Sequence, residues 1–224
     1  MLTFVFLETA LELIPEEISK HPAVVKDARR RKKNPSKIIL DDSKHHPAMK
    51  KIKDRKKRGR PDIIHYCLLS LLDSKINEME IFVHTVNNNI IWINRKTRLP
   101  RNYNRFVGLM EDLFDKRVIK SENEILMEIK DIPISSLISS FSNKNIVLMI
   151  ESGDKDEKHL RNLMKEDPVI CIGCFPHGNF SNDILQLMND VNADFVSLGD
   201  KPLTSLYVTN RVVCLYENAR IQTY

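Results

Sequence analysis

Glycine is scarce, six residues in 224, which argues against loop-rich and all-β architectures that depend on it at turns. The common nucleotide fingerprints are missing as well. There is no GxxxxGK[ST] phosphate cradle and no GxGxxG after a strand, so P-loop, Rossmann dinucleotide and glycine-fingerprint methyltransferase sites are all excluded. The four cysteines follow no disulfide framework. Cys171 and Cys174 form a C-x-x-C, but it straddles a strand end where a redox pair would open a helix. His45 and His46 are adjacent and so face apart, no HExxH or HxH accompanies them, and no metal site is expected. Serine and cysteine triad signatures are absent too. No run approaches the ~18 apolar residues of a membrane span, and MLTFVFLETALELIPEEI lacks the basic start of a signal peptide. Unpaired thiols with eight methionines suit a reducing, cytoplasmic compartment.

What the chain does have is localised charge. Its net charge is +5, yet residues 26–60 hold 16 Lys or Arg against 4 acids, leaving the rest net −7. One basic face suggests a polyanion partner; a solvated basic loop explains the run about equally well.

The apolar patterning predicts a strand over 3–7, a helix over 8–19 interrupted at Pro15, a loop or arm at 26–37, a short strand in KIILDDS and a helical piece in HPAMKKI. A buried helix is expected over 63–76, a hairpin from MEIFVHTV and NIIWIN around Asn87 to Asn89, and an amphipathic helix over 105–119. From 126 onward strands and helices alternate, which argues for a parallel sheet covered by helices with ligands at the carboxyl ends of strands. The whole fits one domain over 1–224, carrying a basic arm at about 26–60 and a small hairpin insertion at about 79–95.

Four segments carry candidate chemistry. VICIGCFPHGNF and FVSLGDKPLTSLYV each place a glycine where the backbone leaves a strand, which admits a flat ligand and frees N–H and C=O groups to read it. In KKRGRPDIIH, Asp62 follows Arg60 by two residues and can aim its guanidinium at a phosphate or base edge, although on spacing alone a helix-start acid beside a surface arginine is the slightly better reading. TRLPRNYNRFVGLM carries Arg98, Arg101 and Arg105 without an acid; Pro100 predicts a helix start near 100 or 101, with Arg101 and Arg105 on one face beside Tyr103 and Asn104. Cations at a helix N-terminus oppose the macrodipole and call for a compensating anion such as RNA.

Taken together, ILDDSKHHPAMKKI, KRGRPDIIH with LLDS, VHT, IWINRKTRLPRNYNRFVGLMEDLF, IGCFPHG and SLYVTNRVVCLYE resemble the ribosome-biogenesis pseudouridine N1-methyltransferases of the SPOUT superfamily, the essential-for-mitotic-growth family, over nearly the whole chain. The resemblance implies an α/β trefoil-knot fold, a parallel sheet flanked by helices, working as a homodimer. It implies methylation of N1 of a pseudouridine in a small-subunit rRNA hairpin, with S-adenosyl-L-methionine as methyl donor, and contact with ribosomal proteins or assembly factors. By position, cofactor contacts fall on Gly173, Gly178, Leu198, Gly199, Asp200, Lys201, Pro202, Leu203 and Ile150. RNA contacts fall on Arg60, Arg98, Arg101 and Arg105, with Asp62 steadying Arg60 or taking the N1 proton. The alternative is an rRNA-binding assembly factor whose methyltransferase activity is secondary or absent. The resemblance assigns no role to the basic arm at 26–37 or to the tail ENARIQTY.

Overall fold

In the computed structural model, which describes residues 1–50 and 52–221, the chain runs β1 (Leu2–Thr9), α1 (Pro22–Arg30), α2 (Asp42–Met49), α3 (Pro61–Asp73), β2 (Met79–Thr85), β3 (Ile90–Ile93), α4 (Tyr103–Lys116), β4 (Val118–Ser121) and β5 (Glu124–Lys130). It continues through α5 (Ile134–Ser139), β6 (Ile146–Met149), α6 (Glu157–Leu163), β7 (Val169–Gly173), α7 (Asn182–Asp190), β8 (Asp194–Val196) and α8 (Ser205–Ile221). The end of the tail, residues 222–224, lies outside the described residues.

All eight strands join one sheet in the order β4-β5-β3-β2-β1-β7-β6-β8. β2, β1, β7, β6 and β8 are mutually parallel, whereas β3, β5 and β4 extend the sheet antiparallel. β1 lies centrally and is apolar on both faces, as a strand covered on both sides must be. Leu2, Phe4 and Phe6 face the larger core with Ile64, Leu68, Phe106, Met110 and Val212, while Val5 and Leu7 face the second core with Ile138, Ile184 and Met188.

Several expectations are corrected. Residues 10–19 form no α-helix: Leu13 bridges Ile39, and only a 3-10 turn, Glu16–Ile18, follows Pro15. That bridge is also all that forms of the strand expected in KIILDDS. The supposed arm at 26–37 is folded. Pro22 starts α1 behind the capping ring of His21, and Val24 and Ala28 pack with Ile38, Leu40 and Met49 in a small third core. Its charges conceal that apolar stripe from a composition-based reading. β5 pairs antiparallel with β3, so the parallel alternation begins only at β6.

Candidate functional site

Two groups of residues meet at the carboxyl ends of the parallel strands. The first is built by the loops after β6, β7 and β8. Because these strands are neighbours, Ile150, Gly173 and Leu198 leave the sheet side by side, with the Ile150 N–H donating to Val196 O at 2.9 Å. Ser205, first residue of α8, donates its hydroxyl to Gly173 O at 2.6 Å and so fastens the 198–204 loop to the end of β7. Gly153 allows the loop after β6 to lie flat on β8: a Cβ there would sit 2.6 Å from Ser197 N and Val196 C and 2.7 Å from Phe195 O. That glycine was passed over in the sequence, where it stands in no motif.

These loops suit a ligand read by backbone. Gly178 and Gly199 have φ of +96° and +149°. The backbone N–H groups of His177, Gly178, Asn179, Asp200, Lys201 and Leu203 have no partner among the described residues. Residues 199–204 are exposed and Leu198 is half-buried. Such an arrangement offers donors to an adenine edge or a carboxylate beside apolar walls. Cys171 and Cys174 take no part; both are fully buried, and burial pushes the Cys171 thiol up to about 12.

The second group is basic. Gly59, at φ +71°, turns the chain so that Arg60 caps α3 with Pro61 at its first position. Arg60 donates twice to Asp62, Nε to Oδ1 at 2.8 Å and Nη2 to Oδ2 at 2.7 Å, and this clasp raises the arginine further above its ordinary value. The fork is fixed while the Arg60 side chain stays 43% exposed. The expected Arg101–Arg105 helix face is not formed: Asn102 caps α4, which begins at Tyr103, so Arg101 precedes the helix together with Arg98. Arg101 is also not free of acids, since it pairs with Asp73 at 2.9 Å. Arg98 and Arg105 are exposed and have no ion pair among the described residues.

His65 joins this stretch to Arg60. Its Nε2 donates to Pro100 O at 2.8 Å and its ring stacks on Phe106 with centroids 4.2 Å apart, while burial holds its pKa below the usual range. The Tyr103 hydroxyl donates to Asp41 at 2.9 Å, bringing α4 against the loop that carries Gly59. Many charges of the 26–60 run are structural instead of available. Arg31 and Lys33 converge on the buried Glu111, and Arg58 grips Glu12 through two bonds of 2.7 and 2.6 Å. Lys53, Arg55 and Lys56 have no ion-pair partner among the described residues.

The two groups are contiguous. A cavity of about 200 Å³ lies between them, lined by Arg55, Lys56 and Arg60 on one side and Pro176 and His177 on the other. Lys57 also lies along the glycine loop, its ammonium 4.5 Å from the Phe175 ring centroid.

A family model described as EMG1/NEP1 methyltransferase matches residues 4–217. The chain belongs to this family. It is 52% identical to the ribosomal RNA small subunit methyltransferase Nep1 of Archaeoglobus fulgidus, covering 97% of this chain and 96% of the relative. It is 43% identical to the protein of that name from Staphylothermus marinus, over 95% and 93% of the two chains. The crystal structure of Archaeoglobus fulgidus Nep1 bound to S-adenosylhomocysteine superimposes with a TM-score of 0.91 at 51% identity, covering 98% of this chain and 99% of that one. EMG1/NEP1 membership thus rests on the whole length of the chain, the mixed α/β fold included, and agrees with the SPOUT resemblance seen in the motifs.

Proposed function

We propose that this protein transfers a methyl group from S-adenosylmethionine to N1 of a pseudouridine in a small-subunit rRNA hairpin, as a homodimer with the C-terminal segment threaded in a trefoil knot, in the cytoplasm during ribosome assembly. The observation that carries the reading is that Arg60, clasped by Asp62, lines one small cavity together with the Pro176–His177 loop, an RNA-type cation beside a backbone-lined ligand site. The relatives' names support the rRNA substrate, and the S-adenosylhomocysteine bound in the Archaeoglobus fulgidus structure supports the cofactor.

Gly173, Gly178, the 198–203 loop and Ile150 would hold the cofactor. When bound, it supplies a sulfonium methyl already activated for attack, so the protein's work is placement and charge. Arg98, Arg101 and Arg105 grip phosphates and set the register of the hairpin. Arg60 faces the base as N1 sheds its proton and favours the developing anion. Asp62 aims that fork; a carboxylate held in two hydrogen bonds is the weaker candidate for the proton.

Transfer of labelled methyl to matched hairpins carrying uridine or pseudouridine tests the reading. Label on the pseudouridine hairpin alone is expected, and equal label on both overturns the substrate. Tight binding with no label on either establishes the assembly-factor alternative.

A further inference from the structure

Glu8 sits where the central strand ends, and its backbone is unusual. Its φ is +49°, a left-handed conformation that costs a residue with a Cβ about 1–2 kcal/mol, in the segment where the pairing of β1 with β2 slips register between Phe6 and Thr9. Such strain persists only where surrounding contacts impose it. Here they do. The Glu8 N–H donates to Nδ1 of the buried His84 at 3.3 Å, and the His84 Nε2 meets the Asn88 side chain at 2.9 Å.

The effect is to place the Glu8 carboxylate, 12% exposed, between the two halves of the site. On one side it accepts the Ser181 N–H at 3.1 and 3.3 Å; Ser181 caps α7 and ends the loop that begins at Gly173. On the other it accepts Lys57 Nζ at 2.9 Å, three residues before Arg60. Lys57 then continues across the glycine loop. Its ammonium stands over Phe175, and its Cε would be 3.4 Å from a Cβ at Gly178. Phe175 meets Phe180 edge-on at 5.5 Å, so the loop bears on Lys57 as a packed unit.

We infer that Glu8 and Lys57 are a positioning pair that couples cofactor binding to RNA binding, by tying the 174–181 loop to the turn that presents Arg60. Neither residue touches the reacting atoms. A ligand that orders the loop also fixes Lys57, and through it the 55–60 turn, so hairpin binding to the occupied protein bears less of the cost of ordering that turn. The inference rests on the functional reading above for the identity of the two ligands.

Calorimetric titration of the full chain with S-adenosylhomocysteine and a uridine hairpin measures this as the ratio of hairpin Kd without and with the nucleoside. The unaltered protein is expected to bind the hairpin about fivefold tighter or more when S-adenosylhomocysteine is present. Lys57→Met and Glu8→Gln bring the ratio toward one with thermal melts close to that of the unaltered protein, and Lys57→Arg, which keeps the cation, restores it. A ratio of one in the unaltered protein overturns the inference. So does full coupling in both variants, or a loss that follows falling melting temperature and is not rescued by Lys57→Arg. The ratio comes from binding alone, so pseudouridine hairpins that bind without accepting methyl defeat the functional reading and leave this test intact.

Discussion

His65 and Pro100 are joined by a 2.8 Å hydrogen bond from the imidazole Nε2 to the proline carbonyl. The helix that Arg60 caps is thereby fixed to the stretch that carries Arg98, Arg101 and Arg105, with the His65 ring stacked on Phe106 beneath. Loss of a buried hydrogen bond and the packed ring in His65→Ala is expected to cost about 2–4 kcal/mol in urea unfolding. It is also expected to weaken hairpin binding, because the two cationic segments lose their common anchor.

Three buried histidines, His45, His65 and His84, have pKa values held below 6.5, in each case mainly by burial. In the pH window between the folded and unfolded values, the unfolded chain binds more protons, so stability falls as pH falls. It is fully present above about 6.5 and is lost on the way down toward the folded values. Melting temperature should therefore drop between pH 7 and pH 5, a range in which ordinary carboxylates stay ionised. His65→Gln, which can still donate to Pro100 and does not titrate, should shallow that drop; an unchanged slope would show that His65 contributes nothing to it.

Arg101 and Arg105 should behave differently. To grip a phosphate as proposed, Arg101 has to give up its exposed Asp73 partner, whereas Arg105 has no such pair among the described residues. Arg105→Ala is expected to weaken hairpin binding more than Arg101→Ala. Each should flatten the slope of log Kd against log salt by about 0.7–0.9. Asp73→Asn should tighten binding by up to about fivefold, the worth of a surface ion pair. Filter binding across a salt series decides all three, and a slope unchanged by either arginine variant removes that arginine from the RNA face.

Much of the candidate site's geometry was legible in the sequence because it follows short spacings. Arg60 and Asp62 are two residues apart and clasp, and the glycine turns at 173 and 199 follow β7 and β8, the two strands that flank β6. The C-terminal alternation was equally plain, since β6 and β7 are continuous apolar runs. The failures share a cause, which is that distant partners override local pattern. Residues 8–19 have helical periodicity, but Leu13 is taken by Ile39 and Ala10 by Cys174 O. Residues 26–37 look solvated until Glu111, some eighty positions later, neutralises two of their cations. Glu8 and Lys57, 49 positions apart, could not be paired by any local rule.

Gly153 and Gly108 offer opposite outcomes for the same substitution. A Cβ at Gly153 meets only backbone atoms of β8 and the residue after it, at 2.6–2.7 Å, so they must be pushed apart. Gly153→Ala is expected to cost about 1–3 kcal/mol and to weaken S-adenosylhomocysteine binding, because the displaced segment leads into the 198–204 loop. Gly108 lies within α4 with nothing inside 4 Å of the added carbon, and Gly108→Ala should stabilise by about 0.5–1 kcal/mol. Urea melts and nucleoside titration of the two variants separate backbone collision from simple loss of glycine.

Glu111 decides whether the basic segment is a domain element or an arm. Its side chain is 1% exposed; Oε2 receives Arg31 at 2.6 Å and Lys33 at 2.7 Å, and Oε1 receives the Ile39 N–H at 3.0 Å. Glu111→Ala leaves two cations and a buried N–H without their acceptor, an expected loss of about 3–5 kcal/mol. Glu111→Gln keeps the bond to Ile39 and should lose less. A lysine- and arginine-specific protease should then cut the Ala variant first within 29–33, where the parent chain is protected by α1. If cleavage there is equally fast in the parent, the ion pairs do not hold the segment, and its cations are as available to RNA as an unfolded arm would make them.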